Sequence, residues 1–252
     1  MQYISSTSNP LIKTLNSLKD NQTDIVIVEG IKIIREVINN NLQIEKILLT
    51  EQKYEEYKSE LDFDKYDTYI VSEHIIKNLS STKTPQGIVA SVQFKDKKLE
   101  TPSHNFLVLD NIQDPGNLGT IIRTALGANY LDLYLINCVN YKSPKVLRST
   151  MGAIFGLNIY KLSQQELISI VKDNNLELIC TNLNGTNIYD FEPKNDLYGL
   201  AIGNEGNGLS KELIDLASQK ITIPMNPKLE SLNAGVSAGI AMYILNYKKG
   251  AK

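Results

Sequence analysis

The sequence has only two cysteines, Cys138 and Cys180, and two histidines, His74 and His104, in 252 residues. Two unpatterned cysteines in apolar surroundings favour core thiols over a disulfide or a ligand pair, and a reducing cytoplasm suits them. The histidines stand far apart with no partner at ligand spacing, so they are read as surface or loop side chains and no metal site is expected. No apolar run is long enough to span a bilayer, because Asn or Gly interrupts the longest candidates, and no membrane partner is expected. The first residues, Met1-Gln2-Tyr3-Ile4-Ser5-Ser6, have neither a basic nor an apolar targeting region, so a cytoplasmic location is expected.

An excess of one charge is also missing. The formal net charge is −2, with thirteen Lys/Arg against fifteen Asp/Glu in residues 1–100 and thirteen against thirteen afterwards. Bulk charge therefore does not advertise nucleic acid, and a polyanionic partner would need a local cluster. Arg123 with Lys142, Lys145 and Arg148 is the notable one. No G-x-x-x-x-G-K-[ST] occurs, which excludes phosphate-loop nucleotide hydrolysis. Gly203-x-x-Gly206-x-Gly208 carries its glycines in the wrong order, and too late in the chain, for a dinucleotide fingerprint.

What is present is alternation. Residues 1–95 read as a small α/β unit. Its strands are Asp24–Glu29, Ile44–Leu49, Thr68–Val71 and Gly87–Phe94, with helices at Pro10–Leu18 and Glu73–Leu79. Ile31, Ile34, Val37 and Ile38 recur at helical spacing between the first two strands. Residues 96–104, charged and ending in Pro-Ser-His, read as a linker. Residues 105–252 repeat strand–loop–helix units, which predicts a mostly parallel sheet covered on both faces.

Three loops carry chemistry. Asp114-Pro115-Gly116-Asn117-Leu118-Gly119 opens a helix that carries Arg123, with Asn117 at or near its N-cap. Ile121, Ile122, Ala125 and Leu126 surround Arg123 in sequence, so it is expected in a packed stretch, holding a polyanionic or polar partner. Gly203-Asn204-Glu205-Gly206-Asn207-Gly208 could be a simple strand-capping turn, but a lone acid such as Glu205 has few packing reasons to sit there. Ile223-Pro224-Met225 and Glu230-Ser231-Leu232-Asn233-Ala234 form the third.

With these segments read together, the chain resembles the SPOUT class of RNA methyltransferases, and within it the TrmH-like (SpoU) ribose 2′-O-methyltransferases. The first motif is Asn117-Leu-Gly-Thr-Ile-Ile-Arg123-Thr-Ala, the second Ile202-Gly-Asn-Glu205-Gly-Asn-Gly-Leu209-Ser210, and the third runs from Ile223 to Asn233. Tyr141 to Phe155 is similar to the family's linking segment. Ser8-Asn9-Pro10 with Ile27-Val28-Glu29-Gly30 is similar to the ribosomal-protein L30e-like domain that precedes many such enzymes. Gly235 departs from the pattern, since many relatives carry Ser or Ala there.

The resemblance implies a trefoil-knotted α/β domain that binds S-adenosylmethionine, preceded by an L30e-like RNA-binding domain. It implies a homodimer acting on RNA, most readily ribosomal RNA, with transfer RNA, base methylation or a non-catalytic assembly factor as alternatives. By position, Gly203, Ile223 and Leu232 would contact the cofactor, largely through main chain. Arg123 would carry the reaction, with Asn117, Glu205, Ser231 and Asn233 orienting it and the ribose. Because guanidinium stays protonated in proteins, Arg123 is expected to clamp phosphate and stabilise the developing alkoxide.

Overall fold

The computed structural model describes residues 2–19, 23–204 and 206–250. They fall into two compact units. One holds the chain up to Lys95 together with Lys142–Phe155, and the other holds Asp96–Tyr141 and the chain from Gly156 onward.

In the first unit a five-stranded sheet has the order β1 (Gln2–Ile4), β4 (Thr68–Val71), β3 (Ile44–Leu49), β5 (Ile88–Gln93), β2 (Ile25–Glu29). The first three run parallel, and β5 is antiparallel to both its neighbours. Helix α1 (Pro10–Leu18) starts where Asn9 accepts the Leu11 N–H, with Pro10 in the first turn. Its Ile12 and Leu15 join Ile75, Ile76 and Leu79 of α4 (Glu73–Leu79) over Leu48, Val71 and Val89. Helix α2 (Ile31–Asn39) buries Ile34 and Val37 of the stripe expected from spacing, together with Ile33, while Ile31 and Ile38 are half-buried. Helix α6 (Pro144–Thr150) comes from the later half of the chain yet packs on β2, covering an open sheet edge.

The second unit is a six-stranded sheet ordered β11 (Gln219–Thr222), β9 (Glu177–Asn187), β10 (Tyr198–Ile202), β6 (Phe106–Asp110), β7 (Asp132–Ile136), β8 (Asn158–Lys161). Every pairing is parallel. Each residue of β6, β7 and β10 is buried, as a sheet covered on both faces demands. Helices α7 (Gln164–Asp173) and α8 (Lys211–Leu216) bury Leu167, Val171 and Leu213 with Phe106, Val108, Tyr134 and Tyr160. Helix α5 (Pro115–Gly127) packs on α9 (Ala234–Lys248), which also packs on β10. The stretch expected to be a linker has no helix or strand and is tied along the second unit. Tyr141 Oη donates to Asp96 at 2.5 Å, Tyr134 Oη to Glu100 O at 2.7 Å, and Ser103 and His104 N–H to the buried Asp132 at 3.1 and 3.2 Å.

Three elements escaped the pattern reading. Helix α3 (Glu51–Tyr57) buries no residue, so it has no apolar stripe to find, and Thr50 caps it. Strands β1 and β8 are three and four residues long. Strand β9 runs seven residues past Cys180, through a polar segment, because Thr186 and Asn187 pair with Ile221 and Thr222 after a register shift.

Beneath α5 and α9 lies a buried polar chain. Tyr130 Oη donates to Tyr198 Oη at 2.9 Å, Tyr198 Oη to Asn246 Oδ1 at 3.3 Å, and Asn246 Nδ2 to Ala128 O at 2.5 Å. Burial pushes the Tyr198 phenol up to about 12, and the Tyr130 phenol is raised for the same reason. Tyr198→Phe should lower the urea midpoint by the equivalent of about 1–3 kcal/mol, because it leaves buried polar atoms unmatched. An unfolded tyrosine ionises near 10.0 whereas folded Tyr198 holds its proton to about 12. Unfolding therefore releases protons in that window, and wild-type stability should fall as pH rises through it. Urea titrations across that pH range should show a shallower fall in the variant.

Candidate active site

The site is built on neighbouring parallel strands whose carboxyl ends open on one side, where α/β sheets hold their ligands. β10 pairs with β6 from Gly199↔Phe106 to Ile202↔Leu109, which sets Asp110 and Asn111 beside the loop that follows β10. Asp110 Oδ2 accepts the Ser210 N–H at 2.8 Å, and Asn204 Nδ2 donates to Asn111 O at 2.9 Å. The loop then closes on itself: Asn204 and Gly208 exchange backbone hydrogen bonds at 3.0 and 2.9 Å, and Asn204 Oδ1 accepts from Gly206 N at 2.8 Å.

That closure gives the glycine at 203 a structural reason. A Cβ there would lie 2.2 Å from Gly208 C and 2.3 Å from Leu209 N. The space beside Gly203 is thus filled by the loop's own backbone, and glycine is required for the turn to shut.

A cleft of about 580 Å³ lies against this loop, within the range of small-molecule sites. Gly203, Ile223, Leu232 and Ser231 all line it. So does Thr181–Asn184 on the polar extension of β9, which sequence reasoning missed. The only signal for it is Gly185 within a polar run. A Cβ at Gly185 would meet the Ile221 backbone at 2.5 Å, so glycine there lets β9 and β11 close up. Leu183 is 68% exposed at the rim. Neutral amides and hydroxyls (Asn182, Asn204, Ser231, Ser237) alternate with apolar walls (Ile202, Ile221, Leu232). Among the described lining residues Glu230 is the one formal charge, and no Lys or Arg occurs.

Asn117 and Asn233 meet: Asn233 Nδ2 donates to Asn117 Oδ1 at 2.8 Å. Asn233 is the N-cap of α9 and accepts from Gly235 N and Val236 N. Asn117 is not a cap. Asp114 caps α5 and accepts the Asn117 N–H at 2.7 Å, one turn earlier than expected. Gly235 sits at the contact of the two helices, where a Cβ would be 3.3 Å from Thr120 Cγ2.

Arg123 is exposed, contrary to the packed setting expected of it. Ile121, Ile122 and Ala125 turn into the core, while Arg123 points outward and is not among the cleft's lining residues. It has no hydrogen-bond or ion-pair partner among the described residues. The cations grouped with it in sequence, Lys142, Lys145 and Arg148, belong to the first unit and Arg123 to the second. Glu205 lies outside the described residues. Cys138 and Cys180 are free thiols, half-buried and buried, and burial pushes the Cys138 thiol up to about 12. Among the described residues no group of three or more His, Cys, Asp or Glu could hold a metal, and no helix is long and apolar enough to cross a membrane.

Comparison with known proteins places this geometry. The SpoU rRNA methylase family model matches residues 104–243, and a model of the MRM3-like substrate binding domain matches residues 9–90. A 23S rRNA guanosine 2′-O-methyltransferase of Bacillus subtilis is 28% identical across 97% of this chain and 99% of its own. A solved RNA 2′-O-ribose methyltransferase superposes with a TM-score of 0.84 at 27% identity, covering 98% of this chain and 99% of that one. An AdoMet-bound rRNA methyltransferase of Sinorhizobium meliloti shares the fold, with a TM-score of 0.87 at 24% identity over 98% of this chain and 97% of that one. With the methylase model spanning more than half of its length, the chain belongs to the SpoU rRNA methylase family.

Proposed function

We propose that this protein transfers a methyl group from S-adenosylmethionine to a ribose 2′-hydroxyl of ribosomal RNA, as a cytoplasmic homodimer. The observation that carries the reading is the cleft at the ends of β9, β10 and β11. Its described lining has neutral polar groups, apolar walls, one carboxylate and no cation. Such a lining suits a nucleoside without phosphates, and the Glu230 carboxylate suits a ligand bearing positive charge. S-adenosylmethionine has both properties, and when bound it supplies a methyl group on a cationic sulfur. Gly203, Ile223 and Leu232 would hold it, through backbone groups and apolar contact.

A ribose hydroxyl is a weak nucleophile, and the chain's own residues must make it a better one. Arg123 carries a permanent charge that no group of the described chain neutralises. It can therefore grip the phosphate next to the target ribose and stabilise negative charge as the hydroxyl gives up its proton to solvent. The joined amides of Asn117 and Asn233, with Ser231 and Glu205, would orient that ribose, which is itself a large part of the rate. Helix α9 supports the dimer. Beyond its buried face, Val236, Tyr243 and Tyr247 are 50%, 55% and 82% exposed and recur at helical spacing, an apolar stripe that a second copy would cover.

Calorimetry in the presence of chelator should detect S-adenosylmethionine binding by the wild type. Gly203→Val should abolish it by forcing the loop open, whereas Gly206→Ala should preserve it, since a Cβ at Gly206 meets only Asn204 Oδ1 at 3.4 Å.

Arg123→Ala should leave melting and cofactor affinity unchanged while single-turnover methylation falls about a hundredfold or more. Arg123→Lys should recover little, because an ammonium lacks the planar fork. Parallel loss of stability, affinity and rate in Arg123→Ala would instead make this arginine structural.

Light scattering at micromolar concentration should show a dimer, and Tyr243→Glu should shift it to monomer. A monomeric wild type would contradict the dimer.

A further inference from the structure

Two groups of cations stand out in the first unit, where Lys13, Lys77 and Lys95 are also exposed without an ion-pair partner among the described residues. Arg35, Lys46, Lys53, Lys58 and Lys65 are paired with Glu60, Asp67, Glu56, Glu55 and Asp62 respectively. All five acids lie within residues 51–67, a segment with seven carboxylates and three lysines. A polyanion is repelled there. Lys32, Lys83, Lys145 and Arg148 form the second group. All four are exposed, and none has a carboxylate within ion-pair distance among the described residues.

Three segments distant in sequence bring this second set to the carboxyl end of β2. The loop Ser80–Gln86 is folded around Glu29, whose carboxylate accepts from Ser80 Oγ at 2.7 Å, Gln86 N at 2.9 Å and Thr82 Oγ1 at 3.3 Å. These three donors occupy the only carboxylate beneath the loop among the described contacts, so its charge is spent inward. Gln86 lies against Gly30, and Lys32 stands two residues on, in the first turn of α2. Helix α6 runs beside β2. At one end Lys142 pairs with Asp24 at 3.5 Å, and at the other Arg148 Nη1 donates to Ser81 O at 3.2 Å. Lys145 is one turn back on the same side of α6. The exposed groups of the loop are Ser81, Lys83, Thr84 and Gln86: two hydroxyls, an ammonium and an amide, with no apolar side chain among them.

We infer that Lys83, Arg148, Lys145 and Lys32 form the surface on which the first unit holds the phosphate backbone of its RNA. The inference rests on the RNA-methyltransferase reading above and says where on this chain the substrate is gripped. Arg148 turns Nη1 to the carbonyl and hydroxyl oxygens of Ser81 and keeps the rest of its fork for phosphate oxygens. Phosphate contacts of this kind position an RNA without reading its sequence, and salt weakens them.

The test is titration of the full chain with an unmodified 23S rRNA transcript at several salt concentrations, alongside single-turnover methylation of the same transcript. Lys83→Ala and Arg148→Ala should each weaken binding about tenfold and flatten the salt dependence by roughly one ion. Cofactor affinity and the methylation rate at saturating RNA should hold. Lys58→Ala, on the acidic flank, should change neither binding nor slope. Lys83 makes no hydrogen bond or ion pair among the described residues, so its variant breaks none of the bonds that hold the loop, and Arg148→Lys should restore most of the salt slope. If the wild type binds and methylates while Lys83→Ala and Arg148→Ala bind as tightly and as salt-sensitively, the surface is wrong and the function stands. If the wild type neither binds nor methylates RNA, the functional reading falls and takes this surface with it.

Discussion

The cleft depends on a hydrogen bond between one buried carboxylate and one loop. Asp110 ends β6 with its side chain buried, and it accepts the Ser210 N–H at the far end of the loop that leaves β10. A buried carboxylate is costly unless it is matched, so the loop's return to this point is enforced rather than tolerated. Asn111, in the left-handed region at φ 58°, turns its carbonyl to Asn204 and pins the near end. With both ends fixed, the closure between Asn204 and Gly208 becomes the only path for the backbone, and Gly203 must lack a side chain. The wall of the cleft is therefore a property of β6 as much as of the motif that lines it.

The second constraint joins helix starts. Asn233 caps α9 with its oxygen and reaches Asn117 on α5 with its amide, so one side chain spends both ends on structure. The pairing fixes where the third loop arrives, because Leu232 and Ser231 immediately precede the cap. It also fixes α5, and with it the outward direction of Arg123. The arginine is held by the rigidity of its helix and not by a partner, which leaves its charge available.

Much of this was legible in the residues. The continuous apolar runs of β6, β7 and β10 and the loops after them are visible as blocks, because strands buried on both faces show no alternation to confuse. The gathering of Gly203, Ile223 and Leu232 on one cleft was read from motif resemblance, and no spacing rule would have produced it. Other features were hidden for physical reasons. Helix α3 has no buried face, so no periodicity betrays it. The extension of β9 is polar and exists only because β11 pairs with it. Asp110 and Asn111 look like the ordinary end of a strand, since their importance lies in partners about a hundred residues away. The exposure of Arg123 could not be inferred from apolar neighbours. Neighbours in sequence lie on different sides of a helix, and Ile121 and Ile122 say only where the core is.

Charge is sorted in this chain more than it is accumulated. A net charge of −2 would suit neither a cofactor rich in phosphate nor a large polyanion if it were spread evenly. The cleft avoids the first demand by having no cation in its described lining, which disfavours phosphates and leaves recognition to amides, hydroxyls and apolar walls. The second demand falls on surfaces where cations lack carboxylate partners, and ion pairing elsewhere decides which surfaces those are. Five of the first unit's cations are tied to acids between residues 55 and 67, and each such pair contributes little to stability because it is solvent-exposed. Their consequence is electrostatic direction. The pairs neutralise those five cations, whereas Lys83, Arg148, Lys145 and Lys32 at the end of β2 keep charges that an anionic chain can meet.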